Sequence, residues 1–94
     1  MYARVATFEG LESGQIDEAA DRINQESGPP PGVPSNRFIM LADRGSGKTV
    51  AIGFFETEED LRTGDATLNE MTPPTQMGRR TSVEKFEVVV EKSA

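Results

Sequence analysis

Two apolar runs separated by a glycine-rich segment restrict the fold of this chain more than any other feature. Residues 38–42 read Phe-Ile-Met-Leu-Ala and residues 50–55 read Val-Ala-Ile-Gly-Phe-Phe. Both runs are rich in β-branched and aromatic residues and lack a helical period, which indicates strands. Gly45 and Gly47 lie between them and tolerate positive φ, so we predict a β-hairpin with its turn at these glycines.

The turn also contains the letters of a phosphate-binding loop, Gly-Ser-Gly-Lys-Thr at residues 45–49. The nucleotide motif needs a further glycine five residues before Gly47, and that position is Ala42. The motif also needs a helix after the loop, so that N-terminal N–H groups point at the phosphate, whereas here an apolar run follows directly. We therefore predict no nucleotide-binding site, and a turn whose tip is solvated by Arg44 and Lys48.

The residue inventory narrows the chemistry that is open to the chain. Its 94 residues suffice for one domain, which we place at residues 1–94. It contains neither cysteine nor histidine, so thiolate nucleophiles and the commonest general base and zinc ligand are missing. The formal net charge is −6, and no basic stripe is long enough to bind nucleic acid. We expect no metal, no cofactor and no nucleic-acid partner.

The hydropathy pattern shows no membrane segment. No apolar run approaches the roughly 20 residues that a membrane-spanning helix needs. The first residues lack the basic start and apolar stretch of a signal peptide. We expect a cytoplasmic protein without a membrane partner.

The remaining periodicities predict two helices and two further strands. In the first helix, Ile16, Ala19, Ala20 and Ile23 form one apolar stripe. In the second helix, Gly64 lies in the apolar face and weakens the helix by about 1 kcal/mol relative to alanine, which indicates a kink or close packing. We predict strands at residues 2–8, 37–42, 49–55 and 82–91, and helices at residues 15–25 and 58–71, the second opened by a capping box of Thr57 and Asp60.

The proline-rich residues 26–36 connect the first helix to the hairpin. Pro31 and Pro34 have the spacing of a PxxP ligand, but a stiff linker is the commoner use of such a segment. We predict that residues 26–36 form a rigid, exposed connection.

The predicted order β-α-β-β-α-β is that of a ferredoxin-like fold, in the α+β class, with two helices on one face of a four-stranded antiparallel sheet. The predicted strands carry apolar residues at both parities, for example Ile39 and Leu41 against Phe38 and Met40. An antiparallel sheet with a free face should alternate apolar and polar residues. The second face therefore needs a cover, and we predict a two-fold homodimer.

The chain resembles the dimeric α/β-barrel superfamily that includes the antibiotic biosynthesis monooxygenases. The resemblance spans nearly the whole chain and is densest at residues 31–33, 43–44, 55–61 and 83–88. It implies a ligand pocket between sheet and helices in each subunit. Some members of that superfamily oxidise polycyclic aromatics without a cofactor, and others bind haem. This chain has no tryptophan for the oxidative machinery, where Phe55 fills the usual position, and no histidine for the haem iron.

The candidate pocket residues are Tyr2, Arg4, Phe38, Phe54, Asn69 and Phe86. Arg4 either anchors a ligand carboxylate or enolate through paired hydrogen bonds or has a structural role. The structural role is an ion pair with a glutamate of the last strand, such as Glu84 or Glu87, or a dimer contact. Asn69 either donates to a bound oxyanion or is a solvated helix residue. The phenylalanines, with Met40, Met71 and Met77, either line a ligand pocket or fill the core.

Two classes of function remain. One is a homodimer that binds a small apolar or aromatic ligand without catalysis. The other is a cofactor-independent monooxygenase or isomerase that acts on an aromatic or polyketide-like acid. A solvent-open pocket containing Arg4 favours the enzyme, and a pocket filled by phenylalanine and methionine side chains favours the binding protein.

Overall fold

A computed structural model describes residues 1–70 and 78–93 of the chain. It has the predicted ferredoxin-like order β-α-β-β-α-β. Met71, Met77 and the end of the second predicted helix lie outside the described residues. The elements are β1 (Tyr2–Glu9), α1 (Ser13–Gln25), β2 (Arg37–Asp43), β3 (Lys48–Phe55), α2 (Glu58–Glu70) and β4 (Arg79–Glu87).

The strands form an antiparallel sheet in the order β2-β3-β1-β4, so β1 is a central strand. The hairpin between β2 and β3 is confirmed: Asp43 pairs with Lys48, and Gly47 has a φ of 74°. The Gly47 N–H donates to the Asp43 carbonyl at 3.0 Å and closes the turn. A strand, not a helix, follows the glycine-rich segment, so no helix N-terminus is there to hold a phosphate.

The tip of the hairpin is exposed at Arg44 and Lys48, as predicted, and it also contacts the first helix. Arg44 donates to Ser13 Oγ and to Asp17 Oδ1, both at 2.6 Å, and so ties the tip to the first turns of α1. The helix begins at Ser13, two residues earlier than predicted, because Glu12 caps it and the Glu12 N–H donates to Gln15 Oε1 at 2.9 Å. The hairpin thus positions the start of α1.

The last strand also departs from its predicted bounds of 82–91. Strand β4 ends at Glu87, opposite Tyr2, where its neighbour β1 begins. The Val88 N–H still donates to the Met1 carbonyl at 2.9 Å, but no described strand lies beside Val89 and Val90, which are 81 % and 70 % exposed. An apolar run of extended backbone forms a strand of the sheet only where a neighbouring strand supplies hydrogen-bond partners. Residues 88–91 lack such a neighbour among the described strands.

The pairing register assigns each side chain of the sheet to one of two faces, because successive strand residues point to opposite sides. Arg4 lies beside Gly53, and Ala6 beside Ala51, on the face that the helices cover. Val5 lies beside Ile52 on the opposite face, which we call the open face. Both faces carry apolar residues, as predicted from the mixed parities.

The core lies between α2 and the sheet. Phe55 is fully buried against Val33 and Leu61. A Cβ placed on Gly64 would lie 2.5 Å from the Phe55 ring, so the predicted close packing at this glycine is confirmed. The prediction that residues 26–36 form an exposed connection is wrong at Val33, whose apolar side chain packs into the core. The same segment is bound to α2, because Thr67 Oγ1 donates to the Gly32 carbonyl at 3.1 Å.

Replacing Gly64→Ala should lower the free energy of unfolding. The added methyl group collides with the buried Phe55 ring, and this overpacking outweighs the gain in helix propensity, so we expect a net loss of about 1 kcal/mol. Gly14→Ala in α1 is the control, because its Cβ meets nothing within 4 Å. Urea unfolding of the two variants compares them, and equal or greater stability of Gly64→Ala would contradict the close fit.

Candidate functional site

A cavity of about 560 Å³ lies between the helix-covered face of the sheet, α1 and residues 26–36. It is partly open to solvent. Ala6, Ala51 and Gly53 form its floor, and Ala19 and Ile23 of α1 form its roof. Phe8, Phe38 and Phe55 complete the apolar walls. This volume is in the range that holds small organic ligands.

The cavity exists because small residues occupy the positions where a filled core would place large ones. Ala6 and Ala51 face each other across neighbouring strands and project only a methyl group from the sheet. Helix α2 packs directly on β1 and β3, whereas α1 packs less closely on the sheet. The space under α1 therefore stays open, and only Ile16 and Ala19 of this helix are buried.

A polar cluster beside the cavity joins β1, α2 and β4, and we call it the Arg4 cluster (Arg4, Asp65, Asn69, Arg80 and Lys85). Arg4 is 7 % exposed; its Nε donates to Asp65 Oδ1 at 2.8 Å and its Nη2 to Asn69 Oδ1 at 3.1 Å. Lys85 Nζ lies 3.2 Å from Asp65 Oδ2. Arg80 Nη1 donates to the same Asn69 oxygen at 3.0 Å.

The carboxylate of Asp65 is held in its ionised form by two cations. Its burial would raise the pKa, but the hydrogen bonds from Arg4 and Lys85 outweigh that effect and hold the pKa of Asp65 below its usual value. The side chains of Arg4 and Asp65 are only 8 % and 14 % exposed. Water screens this pair little, so it links β1 to α2 more strongly than a surface pair would.

The structure does not bring all six predicted pocket residues together. Arg4 and Phe38 line the cavity, Asn69 bonds to Arg4, and Tyr2 packs against the core cluster on the same face. Phe54 and Phe86 both pair with Ala3 and lie on the open face instead. No single cavity contains both groups, because the sheet separates them.

The predicted ion-pair partners of Arg4 are also corrected. Glu84 pairs with Val5 in the register and so lies on the open face, away from Arg4. Glu87 lies beside Tyr2, two pairs away from Arg4 along the strand. The carboxylate that Arg4 binds is Asp65 of α2.

Sequence reasoning missed Asp65, Arg80 and Lys85. One signal for Asp65 was available: Leu61, Gly64 and Leu68 mark the inward side of α2, and Asp65 lies between them. A carboxylate in such a stripe must meet a cation to be buried, and Arg4 is the cation of the central strand.

Other kinds of site receive no support from the described residues. Residues 1–70 and 78–93 contain no group of three or more acidic side chains placed to hold a metal ion. In the same part of the chain, no helix is long and apolar enough to cross a membrane.

Comparison with known proteins gives a match in fold without a match in family. No protein-family model and no curated protein matches the sequence. A similar solved structure is an arginine-to-serine variant of MhuD with two manganese protoporphyrin IX molecules bound per active site. The TM-score is 0.64 at 17 % sequence identity, and the match covers 100 % of both chains. This likeness shows the ferredoxin-like fold.

Replacing Asp65→Asn should destabilise the protein by about 2 kcal/mol at pH 7, because Arg4 loses its charged partner. The native pKa of Asp65 lies below the unfolded one. The advantage of the wild type is therefore complete above the unfolded pKa of about 4 and disappears as the pH falls through the native value. Urea unfolding at pH 7 and pH 3 measures the difference.

The control for this prediction is Asp17→Asn, which removes the exposed pair with Arg44. Because both of those side chains are more than half exposed, we expect a much smaller change in the urea midpoint. An equal effect of the two variants at pH 7 would contradict the special role of Asp65.

Proposed function

We propose that the protein binds a small apolar ligand in the cavity between the sheet and α1, and that it works as a binding protein. The observation that carries this proposal is the cavity itself, which has a volume of about 560 Å³, aromatic walls and an opening to solvent. A core of this size would normally be close-packed, so the small residues on the floor cost stability. Ligand binding is the use that accounts for this cost.

Binding is favoured over catalysis by the state of the polar side chains. Arg4 is the one candidate catalytic residue that both lines the cavity and is buried, and its hydrogen bonds to Asp65 and Asn69 already fix it. Among the described residues that line the cavity, Glu26 is the only one with an acidic side chain. The described lining shows no nucleophile with an adjacent base, which is the arrangement that covalent catalysis requires.

A homodimer forms the second part of the proposal. On the open face, Val5, Ile52 and Ile39 lie side by side across three strands, and Phe54 lies in the next row. Leu41 and Phe86 on this face are each 50 % exposed. A second copy of the sheet would cover this contiguous apolar surface, which a soluble monomer seldom presents to water.

The fold and these two features support membership in the dimeric α/β-barrel superfamily of antibiotic biosynthesis monooxygenase type. The MhuD variant holds manganese protoporphyrin IX in its active site, which supports the capacity of this fold for large apolar ligands. A haem held by a protein ligand does not fit the present chain. It has no histidine or cysteine, and no tyrosine or methionine is among the described lining residues.

The second candidate function is a cofactor-independent monooxygenase or isomerase. The observation that favours it is that Arg4 lines a cavity open to solvent, where it could interact with an enolate. Oxygen uptake with a panel of hydroquinones tests this function. Turnover by the wild type would establish catalysis, and its loss in an Arg4→Gln variant that is folded by circular dichroism would assign a catalytic role to Arg4.

Filling the cavity should abolish ligand binding. Ala51→Phe places a ring on the cavity floor, so we expect the fluorescence enhancement of the neutral apolar probe N-phenylnaphthylamine to be lost. Ala66→Phe is the control, because Ala66 is exposed on α2 and does not line the cavity. Probe binding that survives in Ala51→Phe would place the ligand elsewhere.

Placing a charge at the centre of the open face should yield a monomer. Ile52 lies between Val5 and Ile39 on the open face. In a dimer, Ile52→Lys would bury two unpaired charges, one from each sheet, and this desolvation cost should keep the sheets apart. We expect light scattering to give twice the 10.2 kDa chain mass for the wild type and the chain mass for the variant. The control is Thr63→Lys, because Thr63 is exposed on α2 and lies away from the open face. A wild-type monomer at micromolar concentration would refute the dimer.

A further inference from the structure

The charged side chains around the cavity reverse the charge balance of the whole chain. Acidic residues outnumber basic ones by 16 to 10 in the sequence. Among the described residues that line the cavity, four are arginines (Arg4, Arg22, Arg37 and Arg80) and one, Glu26, is acidic. Arg37 does not add to this excess, because its guanidinium lies 5.6 Å from the centre of the Phe54 ring, which is on the open face.

The Arg4 cluster also carries more positive than negative charge, among side chains that contact one another. The cluster holds three cations and one carboxylate, that of Asp65, which Arg4 and Lys85 contact. Arg4 and Arg80 also share the neutral amide oxygen of Asn69, at 3.1 Å and 3.0 Å. Two like charges on one neutral acceptor repel each other, and an anion beside them would relieve this repulsion.

We propose that the ligand of this cavity is an organic anion, with an apolar body under α1 and an oxyanion such as a carboxylate at the Arg4 cluster, bound chiefly by Arg80. This inference rests on the proposed binding function and specifies its ligand class. Arg80 is exposed at the start of β4 and lines the cavity. Its guanidinium can offer an oxyanion two parallel N–H groups.

Buried Arg4 has a different role in this arrangement. Its Nε and Nη2 are used by Asp65 and Asn69, so it contributes charge and holds Asn69 in place. Asn69 in turn orients Arg80. Arg4 and Asn69 are positioning residues, and Arg80 is the residue that contacts the anion.

The test compares two probes that share one apolar body. Anilinonaphthalene sulfonate carries an oxyanion, and N-phenylnaphthylamine is its uncharged counterpart. We expect the wild-type dimer or monomer, as purified, to bind the sulfonate about tenfold more tightly, which corresponds to one charge-assisted interaction. Salt should reduce this preference, because it screens the attraction between exposed charges.

The matched variants are Arg80→Gln and Arg79→Gln. They remove the same charge from adjacent positions of β4, but Arg79 is not among the residues that line the cavity. We expect Arg80→Gln to bind the two probes with equal affinity and Arg79→Gln to keep the wild-type preference. Circular dichroism and the urea midpoint verify that both variants are folded.

The remaining outcomes distinguish a failure of the anion inference from a failure of the proposed binding function. Equal binding of both probes to the wild type would overturn the anion inference and leave the proposed cavity function standing. Failure of both probes to bind would overturn the proposed function itself. A sulfonate preference that persists in Arg80→Gln, or disappears equally in Arg79→Gln, would remove the Arg4 cluster as the anion site.

Discussion

The fit of the Phe55 ring against Gly64 is the contact on which the arrangement of this protein depends. It lets α2 approach the sheet at β1 and β3, and a side chain at residue 64 would push the helix outward. Burying one such aromatic ring contributes about 1.5–3 kcal/mol, a large part of the stability of a small domain. Helix α2 lies close to the sheet and α1 lies farther from it. The cavity occupies the space between α1 and the sheet.

The pair of Arg4 and Asp65 reinforces the same contact with charge. A buried arginine in a central strand is costly unless it is paired, and Asp65 is available because α2 lies so near. The hairpin tip acts in a similar way at the other end of the fold, where Arg44 ties the turn to Ser13 and Asp17. Each helix is thus attached to the sheet by an arginine, but only the Arg4 contact lies next to the cavity.

The fold could be predicted from the sequence, because strand periodicity, the glycine turn and two helical stripes are local patterns. The candidate site could be predicted only in part. Phe54 and Phe86 were grouped with Arg4 because strands that are apolar at both parities do not reveal which face the helices cover. The cavity depends on the distance between α1 and the sheet, and no local pattern encodes that distance. The burial of Val33 could not be predicted either, because its contact with Phe55 forms only in the folded chain.

A ligand that enters between the sheet and α1 must contact the cavity floor, and methyl NMR with anilinonaphthalene sulfonate detects this contact directly. Ala6 and Ala51 lie on the cavity floor, whereas Val5 and Ile52, their neighbours in sequence, lie on the open face. We expect titration to shift the methyl resonances of Ala6 and Ala51 and to leave those of Val5 and Ile52 in place. Shifts confined to Val5 and Ile52, or no shifts at all, would contradict it.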